Sequence, residues 1–161
     1  MQTNIITLPA EKSYLISFFN TFKEKKNSKE HIVFFRSFNN LIRLLLQKAP
    51  TDYFPVKRSL SENEFIIELP VWKDINTNYY YFISKTGTRF IEDFLYRNFC
   101  IIYEMHMNEI SLMVGYKKAT YLFMEFYNIP ESKFDMLIKK DQRRRLSFLE
   151  KTKEFTSIYK Y

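Results

Sequence analysis

Glycine is nearly missing from this chain. Two glycines in 161 residues, with only five prolines, leave little of the punctuation that many short turns require, so long elements are expected. Cysteine is scarcer still. A single thiol, Cys100, excludes an internal disulfide and fits a reducing compartment. Long apolar runs are absent as well. Leu44–Leu46 and Tyr79–Ile83 are broken within a few residues by charge or amide, far short of the roughly 18 uncharged positions a bilayer span needs. Met1–Pro9 has neither a basic start nor a long apolar core. No membrane segment and no secretory signal are therefore expected, and the chain reads as cytoplasmic.

The groups that usually carry catalysis are sparse too. There are two histidines, His31 and His106, with no glycine-rich phosphate loop, nucleophile elbow or paired-cysteine metal spacing around them. Cys100 and His106 stand six apart, so on one helix they point in different directions, and Cys100 suits an inert buried position. Met105-His106-Met107 offers ligands a soft metal would take, yet neighbours on a helix do not converge on one point. No catalytic residue, metal or cofactor is assigned, and no enzyme is expected.

What the chain does contain is core material and positive charge. Its length suits one domain, and 46% of its residues are hydrophobic, including 17 Phe and 12 Tyr. The net charge of +7 suits an anionic partner and also favours solubility. Periodicity predicts a mainly α (α+β) fold, a multi-helix domain with one small β-hairpin. The whole chain, 1–161, is expected as a single domain: a helical hairpin over 9–48, a loop and β-hairpin over 49–84, and a C-terminal helical unit over 88–156. Pro9-Ala10-Glu11 is expected to open the first helix, whose stripe is Tyr14, Phe18 and Phe22 with Leu15 and Phe19. Asn27 and Glu30 read as a capping pair for the second, with Phe34, Phe35, Phe38, Leu41, Ile42 and Leu45 on its apolar face. That helix is expected to stop before Pro50. The hairpin would pair Phe65–Trp72 with Tyr79–Ile83, Pro70 placing the first strand at an edge. From about Thr88, Phe90, Ile91, Phe94, Leu95, Ile102 and Met105 form one side of a helix. Arg89, Glu92, Asp93 and Arg97 lie largely on the other, and Gly115 is the stop.

The last third carries the most informative charge. Lys133, Lys139, Lys140, Arg143, Arg144 and Arg145 fall within one predicted helix, opposed by Asp135 and Asp141. Lys139, Lys140, Arg143 and Arg144 share a face by spacings of three and four, which suits phosphate contact with counterion release. Cations near a helix end also complement its dipole. Phe123 to Lys140 resembles a helix-turn-helix motif. Phe123, Tyr127, Ile129, Phe134 and Leu137 take the positions that lock two helices, and Asn128 the turn position that favours a left-handed residue. Pro130 and Glu131 begin the second helix, with Asn128 available as its cap. The resemblance implies that this helix enters the major groove through Glu131, Ser132, Lys133, Asp135 and Met136. Two features depart from it: Met124 stands where the motif takes a small residue, and Glu131 with Asp135 places negative charge on the reading face. The hairpin would then flank the site as a wing, with Lys73 and Lys85 near phosphates.

Two functions are therefore expected. The first is a small basic nucleic-acid-binding protein, regulatory or accessory, using the six C-terminal cations Lys133 to Arg145. The alternative is a protein–protein interaction module, with Trp72, Tyr79, Tyr80 and Tyr81 forming a partner or homodimer surface.

Overall fold

The computed structural model describes residues 5–9, 12–24, 29–50, 64–68 and 79–158, with side chains at 12–24, 34–50, 67 and 79–147. Strand β1 (Ile5–Pro9) precedes helices α1 (Ser13–Glu24) and α2 (Lys29–Leu45). Strands β2 (Leu46–Lys48), β3 (Glu64–Glu68) and β4 (Tyr81–Ile83) follow. Then come α3 (Lys85–Val114), α4 (Tyr116–Phe126), a 3-10 turn at Glu131–Lys133, and α5 (Phe134–Ile158). The fold is mainly α with a small antiparallel β component. It divides into two compact units, Met1–Phe99 and Cys100–Tyr161, the boundary falling within α3. No helix among the described residues is long and apolar enough to cross a membrane.

In the first unit, α1 buries Tyr14, Leu15, Phe18, Phe19 and Phe22, the stripe that four-residue spacing predicts. Phe22 meets Phe34 at 4.9 Å and Phe19 meets Phe38 at 5.1 Å between ring centroids. Contacts that run upward on one helix as they run downward on the other are those of an antiparallel helix pair. Phe34 and Phe38 reach on to Phe94 of α3, and Phe18 and Tyr14 meet Phe99 edge-on. Offset and edge-on geometry is what the ring quadrupoles favour.

Several boundaries differ from expectation. Pro9 does not open α1: the β-branched run Ile5-Ile6-Thr7 is drawn into a strand ending at Pro9, and the helix starts at Ser13, where the Leu15 amide donates to the Lys12 carbonyl. Helix α2 does stop before Pro50, at Leu45, where Leu46–Lys48 leaves the helix to pair with Tyr81–Ile83. The β-prone segments do form strands at 64–68 and 81–83, but each pairs antiparallel with a segment from earlier in the chain: β3 with β1, and β4 with β2. The hairpin partners were misassigned because alternation marks a strand without naming its neighbour. Asn27 of the expected capping pair, residues 51–63 of the loop expected over 49–64, and Trp72 and Lys73 lie outside the described residues, as do the Glu30 and His31 side chains.

Helix α3 begins a turn before Thr88. Ser84 caps it: the Gly87 amide donates to the Ser84 hydroxyl at 3.1 Å, and Thr88 donates from both amide and hydroxyl to the Ser84 carbonyl. Its sides also differ from the pattern. Ile91, Leu95 and Phe99 are buried, Glu92 joins them, and Phe90 and Met105 stand exposed. Apolar residues at 90, 91, 94 and 95 cover so wide an arc that the pattern alone does not choose which edge faces the core.

Candidate nucleic-acid interface

The Cys100–Tyr161 unit is built from the C-terminal part of α3 with α4 and α5. Gly115 separates α3 from α4 with φ 79° and ψ 161°, a region essentially reserved for glycine, so the expected stop is also the cap of the next helix. Tyr103 and Met107 of α3, Ala119, Thr120, Phe123 and Met124 of α4, and Leu137 of α5 fill the core. A polar thread runs through it: the Tyr103 hydroxyl lies 3.2 Å from the Thr120 hydroxyl and donates to the Leu137 carbonyl at 3.3 Å. That bond reaches a helical carbonyl across the core and ties all three helices to one phenol. Burial pushes the Tyr103 phenol above its ordinary pKa, because a phenolate there would lose its hydration.

Helix α4 ends in a defined turn. The Ile129 amide donates to the Met124 carbonyl at 2.8 Å and the Asn128 amide to the Glu125 carbonyl at 3.3 Å. Asn128 takes φ 51°, the left-handed residue such a double bond requires. Met124 and Ile129 are both buried, at the two positions whose apolar pairing commonly accompanies this cap. A small residue at 124 would remove one member of that apolar pair. Pro130 then leads into the 3-10 turn, and Tyr121 stacks on Phe134 at 4.3 Å and 18°. Of the apolar positions expected to join the two helices, Phe123, Tyr127, Ile129 and Leu137 are buried, and Phe134 is half-buried.

The basic residues divide into groups that spacing alone did not separate. Lys139 and Arg143 stand exposed on the outer face of α5. Lys140 and Arg144 turn toward α3: the Lys140 ammonium donates to the Cys100 sulfur, and Arg144 Nη2 donates to the Asn108 side chain at 2.9 Å. Arg145 lies on the α4 side, its guanidinium carbon 3.2 Å from the Tyr116 ring centre. Between the arginines sits Asp141, only 5% exposed. It accepts from Arg145 Nε at 2.6 Å and from Arg144 Nη2 at 3.3 Å. Burial pushes the Asp141 carboxyl upward, Arg144 pulls it down, and Glu104 adds to the rise. Lys133 is half-buried at the end of the 3-10 turn, while Glu131, Ser132, Asp135 and Met136 are exposed. Lys85 is exposed at the start of α3 in the other unit.

Three groups escaped sequence reasoning. Lys117 and Lys118 are exposed in the first turn of α4, where cations oppose the helix dipole. Tyr116 supplies the face on which Arg145 rests, and Asp141 is a clasp rather than a screening charge. For Asp141 a signal existed, in its spacings of three and four from Arg144 and Arg145.

Cys100 and His106 face different neighbours. His106 Nε2 lies 2.8 Å from the Ala119 carbonyl, so that nitrogen carries the proton. Its ring meets Phe123 edge-on. Met105 is exposed whereas Met107 is fully buried, so the Met-His-Met run points three ways. No protein-family model matches the sequence, and comparison with curated proteins and with solved structures gave no match.

Proposed function

We propose that the Cys100–Tyr161 unit binds nucleic acid through the outer face of α5. The observation that carries this is the placement of Lys139 and Arg143, one helical turn apart and exposed, beside two arginines that Asp141 already holds in place. Exposed cations at one-turn spacing neutralise successive phosphates, and an arginine whose rotamer is fixed before binding loses less entropy on contact. Lys140, Arg144 and Arg145 contribute less than a fully exposed stripe would, since each has a contact within the unit. Lys133 and Ser132, at the start of the second helix, are the residues that would discriminate sequence.

The test is a salt titration of affinity for duplex DNA, single-stranded DNA and RNA. Changing Lys139 and Arg143 to Ala should weaken binding uniformly across sequences. On duplex DNA it should flatten log affinity against log salt by about 1.8, at roughly 0.9 per lost phosphate contact. Changing Lys133 or Ser132 should instead alter sequence preference. An unchanged slope in a folded double variant refutes the proposal.

A second function, a protein-binding aromatic surface, draws on Tyr79, Tyr80 and Phe82, which are exposed around β4 in the other unit, with Lys48 against the Tyr79 ring. A partner lost on Tyr79→Ala and Phe82→Ala, with nucleic-acid affinity unchanged, would favour it.

A further inference from the structure

Helix α4 opens with two lysines that act against its own stability. Lys117 and Lys118 are exposed in the turn where cations oppose the helix dipole. Neither ammonium meets a carboxylate among the described residues. Tyr121 follows them by four and three residues, so the two cations flank its ring on one face of the helix. A helical side chain leans back over the preceding turn, which carries the tyrosine toward both. The ring itself is held in place. It stacks on Phe134 with the centroids 4.3 Å apart and the planes 18° from parallel. Tyr121 is still 49% exposed, so the side away from Phe134 is on solvent. Tyr116, the other exposed ring beside these lysines, already carries Arg145 over its face.

An aromatic plane fixed from behind and bordered by two cations has the parts of a base-stacking site. The plane takes a base, and ammonium groups beside the ring take the phosphates that flank it. Phe134 orders the ring before any ligand arrives, so little side-chain entropy remains to be lost. Inside a duplex each base face is covered by its neighbours, whereas an unpaired base can be splayed onto such a plane. The surrounding charges give the site a direction. Glu125, one turn beyond Tyr121, and Asp135, next to Phe134, are both exposed and repel phosphate. The backbone of a bound strand therefore runs on the side of Lys117 and Lys118.

We propose that Tyr121, backed by Phe134 and bordered by Lys117 and Lys118, stacks a base of single-stranded nucleic acid. This rests on the reading of the Cys100–Tyr161 unit as nucleic-acid-binding, and adds the state of the strand that the unit takes. The site meets a π face and phosphates, which DNA and RNA share, so both single strands bind it and no base is strongly preferred.

Fluorescence anisotropy with labelled oligothymidylate, oligouridylate and a DNA duplex tests it. Tyr121→Leu keeps an apolar contact for Phe134 but has no ring plane. It should weaken both single strands by about tenfold or more and leave the duplex unchanged. Tyr121→Phe keeps the plane and should bind as wild type does. Lys117→Ala with Lys118→Ala should flatten log affinity against log salt on single strands by about 1.4, at roughly 0.7 per lost contact. Removing cations from that turn does not weaken the helix, and circular dichroism confirms the fold of each variant. Folded Tyr121→Leu protein with undiminished single-strand affinity overturns the proposal. So does a loss that Tyr121→Phe or the duplex shares equally, or an unchanged slope in the lysine variant. Wild-type protein that takes the duplex but neither single strand overturns it and leaves the outer face of α5 standing. That face is tested apart, by Lys139→Ala with Arg143→Ala. Protein that takes none of the three probes removes both readings.

Discussion

Asn128 is where local backbone chemistry is most exposed to test. It holds φ 51°, while its own amide and that of Ile129 close the end of α4. A β-carbon in the left-handed region costs about 1–2 kcal/mol, and asparagine offsets part of this because its short amide bonds locally. Alanine has the β-carbon without the amide, so Asn128→Ala should destabilise the protein by roughly 1 kcal/mol. Glycine removes the strain outright but loosens the unfolded chain, a counter-effect of about 0.4–1 kcal/mol. Asn128→Gly should therefore lie between neutral and about 1 kcal/mol stabilising. Asn128→Val should be worst, since a β-branched residue at positive φ is a true outlier. Urea unfolding followed by circular dichroism gives the order, with unchanged m values showing that stability has shifted without a change in the surface exposed on unfolding. The expected ranking is Gly at or above Asn, then Ala, then Val. An alanine variant as stable as wild type, or a glycine variant below alanine, would show that the left-handed turn is not what ends α4.

Gly115 should behave differently because its conformation does. At φ 79° and ψ 161°, with open space where a β-carbon would go, Gly115→Ala meets backbone strain of about 1–3 kcal/mol, less about 0.4–1 kcal/mol from the unfolded chain. Gly115→Asn should give no rescue in the same urea assay, because asparagine favours ψ near that of a left-handed helix rather than an extended value. Tyr127 sets an alkaline limit. Burial pushes its phenol up to about 12 from 10.0, so between these values the unfolded chain ionises while the folded one does not. Stability present below pH 10 should fall by on the order of 2–3 kcal/mol as pH approaches 12. Tyr127→Phe should flatten that fall in pH-dependent unfolding, leaving the part due to Tyr103, whose phenol burial also raises.

The helical framework was legible where the stripe was narrow. Four-residue spacing of aromatics gave α1 and the core side of α2, and the glycine and asparagine stops bracketed α4. What failed was pairing. Sequence marks Phe65–Trp72 and Tyr79–Ile83 as extended but is silent on the partners of the strands they hold, which lie far back in the chain. Asp74, Asn76 and Asn78, turn formers between the two segments, suggest a hairpin because local closure is the least costly assumption. The mispredicted side of α3 has a related cause. Phe90 and Met105 are as hydrophobic as Ile91 and Leu95, so hydrophobicity alone places all four on one side of the helix, whereas Phe90 and Met105 are exposed.

The basic segment shows why a charge count could not resolve the candidate site. On a helical wheel Lys139, Lys140, Arg143 and Arg144 form one stripe, yet a stripe of four spans about 140° of arc, wider than the outward face left on a helix packed on two sides. Its inner edge must turn back. Lys140 and Arg144 do so and meet Cys100, Asn108 and Asp141, leaving Lys139 and Arg143 facing out. The acid that organises this was visible as Asp141 but was treated as a charge diluting the stripe. Its burial reverses that role. A carboxylate removed from water is held only by groups that compensate its lost hydration, and the partners within reach are the arginines three and four residues on. Asp141 thus converts two flexible cations into fixed ones, Arg145 additionally by the ring of Tyr116. A buried acid at that spacing before an arginine pair is therefore a better pointer to positioned cations than the length of the basic run.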